Sequence, residues 1–131
     1  MVAEFFSMSA TCCAADYRNL PLNNALLDSG ITIVDIRTEP EWRETGIVPG
    51  TVLLTFFRAD RSYNMADFVA ELARYASPQE EIALLCRNGN RSAKLAHLLA
   101  QHGYRSIINV SGGIRSAAGN GVLLVPYPAT P

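Results

Sequence analysis

The sequence predicts an α/β fold in which a mostly parallel sheet is covered by helices on both faces. Three observations carry this expectation. Short apolar runs rich in branched side chains recur at Ile31 to Ile36, Ile82 to Leu85 and Ile107 to Val110, and a strand apolar at nearly every position is one buried on both sides. Between these runs lie stretches whose apolar residues fall at helical spacing. Gly, Pro and polar residues punctuate the boundaries. Such alternation places reactive residues at the C-terminal ends of strands.

Taken in order, the first thirty residues are the least regular. A short apolar segment surrounds Phe5 and Phe6, Asp16-Tyr17-Arg18 follows, and Leu20-Pro21-Leu22-Asn23-Asn24 reads as turn-rich. Ala25-Leu26-Leu27-Asp28 fits a helix end stopped by Ser29-Gly30. After the strand at Ile31 to Ile36, Thr38-Glu39-Pro40-Glu41 opens a helix, because Pro is tolerated in a first turn and acidic side chains there complement the helix dipole. Gly46 closes it. Val48-Pro49-Gly50-Thr51 is a turn before a strand at Val52-Leu53-Leu54. The polar stretch around Arg58 and Arg61, by default a solvated loop, leads to a helix carrying Met65, Phe68, Val69, Leu72 and Tyr75, ended by Ser77-Pro78. The strand Ile82 to Leu85 delivers Cys86. A helix with Ala93, Leu95, Ala96, Leu98 and Leu99 follows, terminated by Gly103. The strand Ile107 to Val110 runs into Ser111-Gly112-Gly113, a weak helix at Ile114 to Ala118, and an extended tail after Val125.

The 131 residues fit one domain, 1–131, with no repeat or linker to suggest a second, and 49% hydrophobic content suffices for a core. With 11 Lys and Arg against 12 Asp and Glu, the net charge is -1. Nucleic acid is therefore not an expected partner, and any anion site must be local. Three cysteines, with Cys12 and Cys13 adjacent, make no disulfide framework and suit a reducing compartment, the cytoplasm. Glu4 stands where a secretory signal would carry Lys or Arg, and no apolar run nears the roughly 18 to 20 residues that cross a bilayer, so neither secretion nor a membrane is expected.

Cys86 is the chemical focus. It opens Cys86-Arg87-Asn88-Gly89-Asn90-Arg91, with Ser92 and a helical pattern just beyond. A thiol at a strand end, facing loop N–H groups and a helix N-terminus, sits in positive potential and is suited to react as a thiolate. The plain alternative is a small buried hydrophobe, since free Cys is among the most buried residue types. Arg87 and Arg91 are expected to attract an anion, with Arg91 folded over the site or fixed by a carboxylate. Gly89 suits a positive-φ position, Asn88 and Asn90 tolerate unusual loop geometry, and Ser92 starts the helix. His97 and His102 read as surface or capping histidines. Cys12-Cys13 lacks the spacing of a zinc site, and neither metal nor cofactor is expected.

Four separated stretches share an order: Asp35-Ile36-Arg37 with Glu41-Trp42, Gly46 to Thr51, Cys86 to Ser92, and Asn109-Val110-Ser111-Gly112-Gly113-Ile114. In order and spacing they resemble the rhodanese-like domain over about residues 25–125. The resemblance implies five strands, a mostly parallel sheet and helices on both faces. It implies a sulfurtransferase, in which a small anionic donor such as thiosulfate gives its outer sulfur to Cys86. The Cys86 persulfide then passes that sulfur to cyanide, a thiol or a protein acceptor. On this resemblance Arg87, Asn88, Gly89, Asn90, Arg91 and Ser92 form the substrate cradle, and Asp35 and Arg37 support it as an ion pair. Two positions depart from the family's habit, Ile47 in place of a His and Ala117 in place of a Trp. Two other functions compete. Cys-dependent phosphatases and arsenate reductases also place Cys and Arg in a helix-capping loop, but their resemblance calls for five intervening residues and here there are four. A regulatory or binding module of the same fold needs no cysteine, and this chain has one.

Overall fold

Five short strands and four helices alternate along residues 16–128, the part of the chain that the computed structural model describes. They are β1 (Arg18–Pro21), α1 (Asn24–Leu27), β2 (Thr32–Asp35), α2 (Glu39–Thr45), β3 (Val52–Leu53), α3 (Met65–Leu72), β4 (Ile82–Leu85), α4 (Asn90–Gln101) and β5 (Ile107–Ser111). Two 3-10 turns follow, Gly113–Ser116 and Ala118–Asn120. The segment around Phe5 and Phe6, Cys12-Cys13 and Pro131 lie outside the described residues.

Every strand pairing is parallel, in the spatial order β1-β5-β4-β2-β3. From β2 the chain moves outward to β3, crosses back to β4, and then continues the opposite way to β5. Its direction reverses between β2 and β4, and at such a reversal a crevice opens outside the strand C-termini. Side-chain alternation sorts the core into two layers. Val34, Ile82, Leu84, Cys86 and Ile107 pack beneath Phe68 and Leu72 of α3 and Leu95 and Leu99 of α4. Ile33, Ala83, Leu85, Ile108 and Val110 face Leu22, Leu26, Ile114 and Ala117. With both faces covered, β4 is buried at all four positions, which is why it reads as an unbroken apolar run.

Most elements form where the sequence places them, with instructive differences. The sequence predicts no strand at β1, whose Leu20-Pro21 opens the turn-rich stretch that runs to Asn24. Its four residues, Arg-Asn-Leu-Pro, carry no strand pattern because it is a sheet edge, largely exposed and paired only to β5. Pro21 is tolerated at the end of such a strand. Asn23 then caps α1, its side chain accepting the Leu26 N–H at 2.9 Å. α3 ends at Leu72 rather than Tyr75, which is half-exposed. α4 begins at Asn90, inside the cysteine motif rather than beyond it. The weak helix near Ile114 is instead the pair of 3-10 turns. The tail returns to the body: Ile47 and Val125 exchange antiparallel backbone hydrogen bonds of 2.8 Å, and Tyr127 packs edge-on against Trp42.

Candidate active site

Cys86 directly follows β4, and alternation with Ile82 and Leu84 turns its side chain to the α4 side of the sheet. The thiol is enclosed, Cys86 being 0% exposed. It packs in the apolar layer beneath α4, and its sulfur also has polar partners. Sγ accepts the Gly89 N–H at 3.1 Å and the Ser92 N–H at 3.4 Å, and the Ser92 hydroxyl oxygen lies 3.3 Å away. The loop curls around the sulfur because Gly89 takes φ 97, where a side chain would meet the backbone of Ser111 and Gly112. Asn88 tightens the same bend by accepting the Asn90 N–H.

The segment after β5 buttresses this loop. The Ile114 N–H donates to the Cys86 carbonyl at 2.9 Å and the Arg115 N–H to the Arg87 carbonyl at 3.0 Å. Only a glycine lets the two backbones come so close. A Cβ on Gly113 (φ 58) would lie 2.5 Å from the Cys86 oxygen and the Arg87 carbonyl. Behind the sulfur, the Ser92 hydroxyl donates to Asn109 Oδ1 at 2.5 Å, and Asn109 Nδ2 donates to Asn19 Oδ1 at 3.0 Å and to the Gly89 carbonyl at 3.3 Å. Asn109 was not expected at the site. Its signal was a polar residue in the middle of the buried run Ile107-Ile108-Asn109-Val110, where an amide must find partners.

Charge is arranged around this cup rather than within it. Arg91 is fixed by a carboxylate: Nη1 and Nη2 donate to Glu41 at 2.8 and 2.6 Å. Glu41 also accepts the N–H and hydroxyl of Thr38 at the start of α2, so one carboxylate joins the N-termini of α2 and α4. Burial pushes the Glu41 pKa up, but the hydrogen bonds from Arg91 and Thr38 and the Arg91 charge outweigh it, holding the group at about 2. The same carboxylate raises the Arg91 pKa. Beside this pair opens a cleft of roughly 630 Å3, lined by Phe57, Arg58, Arg61, Asn90, Arg91 and Lys94 among others. Lys94 lies over the rings of Phe57 and Tyr63, 5.6 and 5.8 Å from their centroids. Arg87 is exposed on the other flank, in a second cleft with Arg37 and Arg115.

A family model described as the rhodanese-like domain matches residues 21–119. This chain belongs to the rhodanese-like domain family. It is 30% identical over 104 residues to the uncharacterized protein RP600 of Rickettsia prowazekii, covering 78% of this chain and 80% of that one. It is 27% identical over 100 residues to the thiosulfate sulfurtransferase GlpE of Pseudomonas syringae, covering 75% and 84%. Among solved structures, a rhodanese-like domain protein from Staphylococcus aureus superposes with a TM-score of 0.59 at 25% identity, over 82% of this chain and 98% of that one.

Within this rhodanese-like domain, the residues singled out in the sequence take three kinds of place. Cys86, Gly89 and Ser92 converge on the sulfur. Arg87, Asn88 and Asn90 are exposed on the rim, and Arg91 is turned to Glu41. Asp35 and Arg37 form a fully buried ion pair of 2.9 Å behind the site. Arg37 also donates to Thr45 Oγ1 and to the Gly46 carbonyl, tying the end of α2 to β2. Ile47, where the family often has His, is occupied by the bridge to Val125, and Ala117 is buried in the second core layer. His97 pairs with Asp16 on the surface and His102 sits near the Leu98 carbonyl at the end of α4. Among the described residues, no three His, Cys, Asp or Glu side chains gather as a metal ion would require.

Proposed function

We propose that this rhodanese-like domain is a sulfurtransferase that carries a sulfane sulfur from thiosulfate or a persulfide donor to a thiol or cyanide through a persulfide on Cys86. The observation that supports it best is the convergence of two backbone N–H groups, those of Gly89 and Ser92, on Sγ at the end of β4. N–H groups so placed can hydrogen-bond the sulfur through each step of a transfer. Cys86 Sγ attacks the outer sulfur of thiosulfate, a new S–S bond forms, and the old one breaks with its electron pair leaving on sulfite. The acceptor then attacks the outer sulfur, and the pair of the breaking bond returns to Sγ. Arg58, Arg61 and Lys94 give the adjoining cleft the positive charge that would draw in a small anionic donor. Because Sγ is buried, the transferred sulfur must enter through the mouth of the loop, which suits a slim donor or a thiol on an unhindered arm. A reducing compartment such as the cytoplasm would keep the thiol available.

Four residues separate Cys86 from Arg91, one fewer than the pattern of the cysteine phosphatases, and the shorter loop favours a single sulfur over a phosphoryl group. Intact-mass measurement after incubation with thiosulfate tests the reading. The expected result is a gain of one sulfur, removed by cyanide and absent from Cys86→Ala. Hydrolysis of an aryl phosphate with no sulfur uptake would reverse the assignment in favour of a phosphatase.

A further inference from the structure

We infer that the Ser92 hydroxyl is a two-position donor in sulfur transfer, resting on Asn109 while Cys86 is a thiol or persulfide and turning onto Sγ when that sulfur becomes a thiolate, with Asn109 as the positioning residue that sets the balance. The inference rests on the sulfurtransferase reading of Cys86. A hydroxyl has one proton to give, and Ser92 Oγ has two neighbours for it, Asn109 Oδ1 at 2.5 Å and Cys86 Sγ at 3.3 Å. The Asn109 amide cannot be turned round. Its nitrogen faces the Gly89 carbonyl, which can only accept, and Asn19 Oδ1, so the oxygen must face Ser92. The proton therefore rests on Asn109, and Ser92 offers Sγ a lone pair.

A lone pair suits an S–H donor or an uncharged sulfur and opposes a thiolate. When Sγ carries the full charge, rotation about the Ser92 Cβ–Oγ bond adds a third donor to the N–H groups of Gly89 and Ser92. It leaves Asn109 Oδ1 without that donor in a position only 4% exposed. A hydrogen bond to a charged acceptor outweighs one to a neutral amide, so the hydroxyl follows the charge. The moment that needs it is discharge of the persulfide. As the acceptor thiolate bonds to the outer sulfur, the Sγ–S bond breaks, its electron pair stays on Sγ, and Ser92 meets the leaving thiolate.

Two substitutions should act in opposite directions. Ser92→Ala removes the donor, and Asn109→Leu removes the competing acceptor and frees the hydroxyl for Sγ. Alkylation of Cys86 by iodoacetamide, followed by peptide mass across a range of pH, is expected to slow about tenfold at pH 7 in Ser92→Ala. Its pH profile should move upward. In Asn109→Leu the rate should rise several-fold, and the double variant should match Ser92→Ala alone. Single-turnover discharge of the persulfide to cyanide should fall with Ser92→Ala and recover with Ser92→Thr. If leucine is not accommodated in the fold, Asn109→Ala replaces it with the same expected sign. Loss of a merely structural contact would slow both single variants, and that outcome, or no change in either, overturns the inference. Failure of the wild-type protein to take up sulfur would instead remove the sulfurtransferase reading, while alkylation would still report where the hydroxyl points.

Discussion

Cys86 is buried in the apolar layer beneath α4 and still has polar partners, because the loop that closes over it spends its N–H groups on the sulfur. Cys86→Ser keeps these donors and nearly the same shape. It is therefore expected to abolish sulfur uptake, read by intact mass, while the unfolding midpoint in urea stays close to wild type. Glu41 offers a second test. Its folded pKa of about 2 lies below the ordinary 4.5, so its contribution to stability is full above pH 4.5 and is lost as pH falls through about 2. The stability advantage of wild type over Glu41→Gln, from urea unfolding, should shrink steadily across that window. At this scale the sequence was legible wherever one residue type has one strong role. Cys86 and Gly89 were readable for that reason. Glu41 and Asn109 were not, because their partners Arg91 and Ser92 lie 50 and 17 positions away, and no local pattern reveals which carboxylate or amide will arrive.

The loop of Cys86 owes its shape as much to the next strand's exit as to its own residues. Gly112-Gly113 lets the first 3-10 turn press its N–H groups onto the carbonyls of Cys86 and Arg87. Gly113→Ala would place a Cβ 2.5 Å from that backbone at φ 58. The expected cost is above about 2 kcal/mol from the left-handed conformation and the displaced turn together. Denaturant unfolding should show it, and sulfur uptake should fall in parallel because the Cys86 carbonyl loses its anchor. Elements with a strong period or a strong stop were visible before folding, among them β2, β4, β5 and the opening of α2. β1 was hidden because an exposed edge strand needs no apolar face. The start of α4 was hidden because Asn90 and Arg91 belong to the cysteine motif and to a helix at once.

Across the whole molecule, the buried pair Asp35–Arg37 sits at the C-terminal edge of the sheet and holds the end of α2 against β2. Replacing Arg37 with Leu strands the Asp35 carboxylate in the core, and the expected loss is about 3–5 kcal/mol by denaturant unfolding. The double variant Asp35→Leu with Arg37→Leu should recover part of it, because removing both charges removes the desolvation penalty. The parallel order β1-β5-β4-β2-β3 brings this pair, the sulfur and the cationic cleft to one end of the sheet. That convergence follows from the reversal of chain direction between β2 and β4.

The sequence by itself determined the fold class, the strand that delivers the thiol and the loop that receives it, because periodicity, glycines and charge act over a few neighbouring residues. Only the tertiary structure decided that Cys86 is enclosed, that Arg91 faces Glu41 rather than the sulfur, and that Ser92 is shared between Cys86 and Asn109. Those outcomes depend on which side chains three parallel strands and two helix N-termini bring within about 3 Å of one another, and that meeting is made by the whole chain.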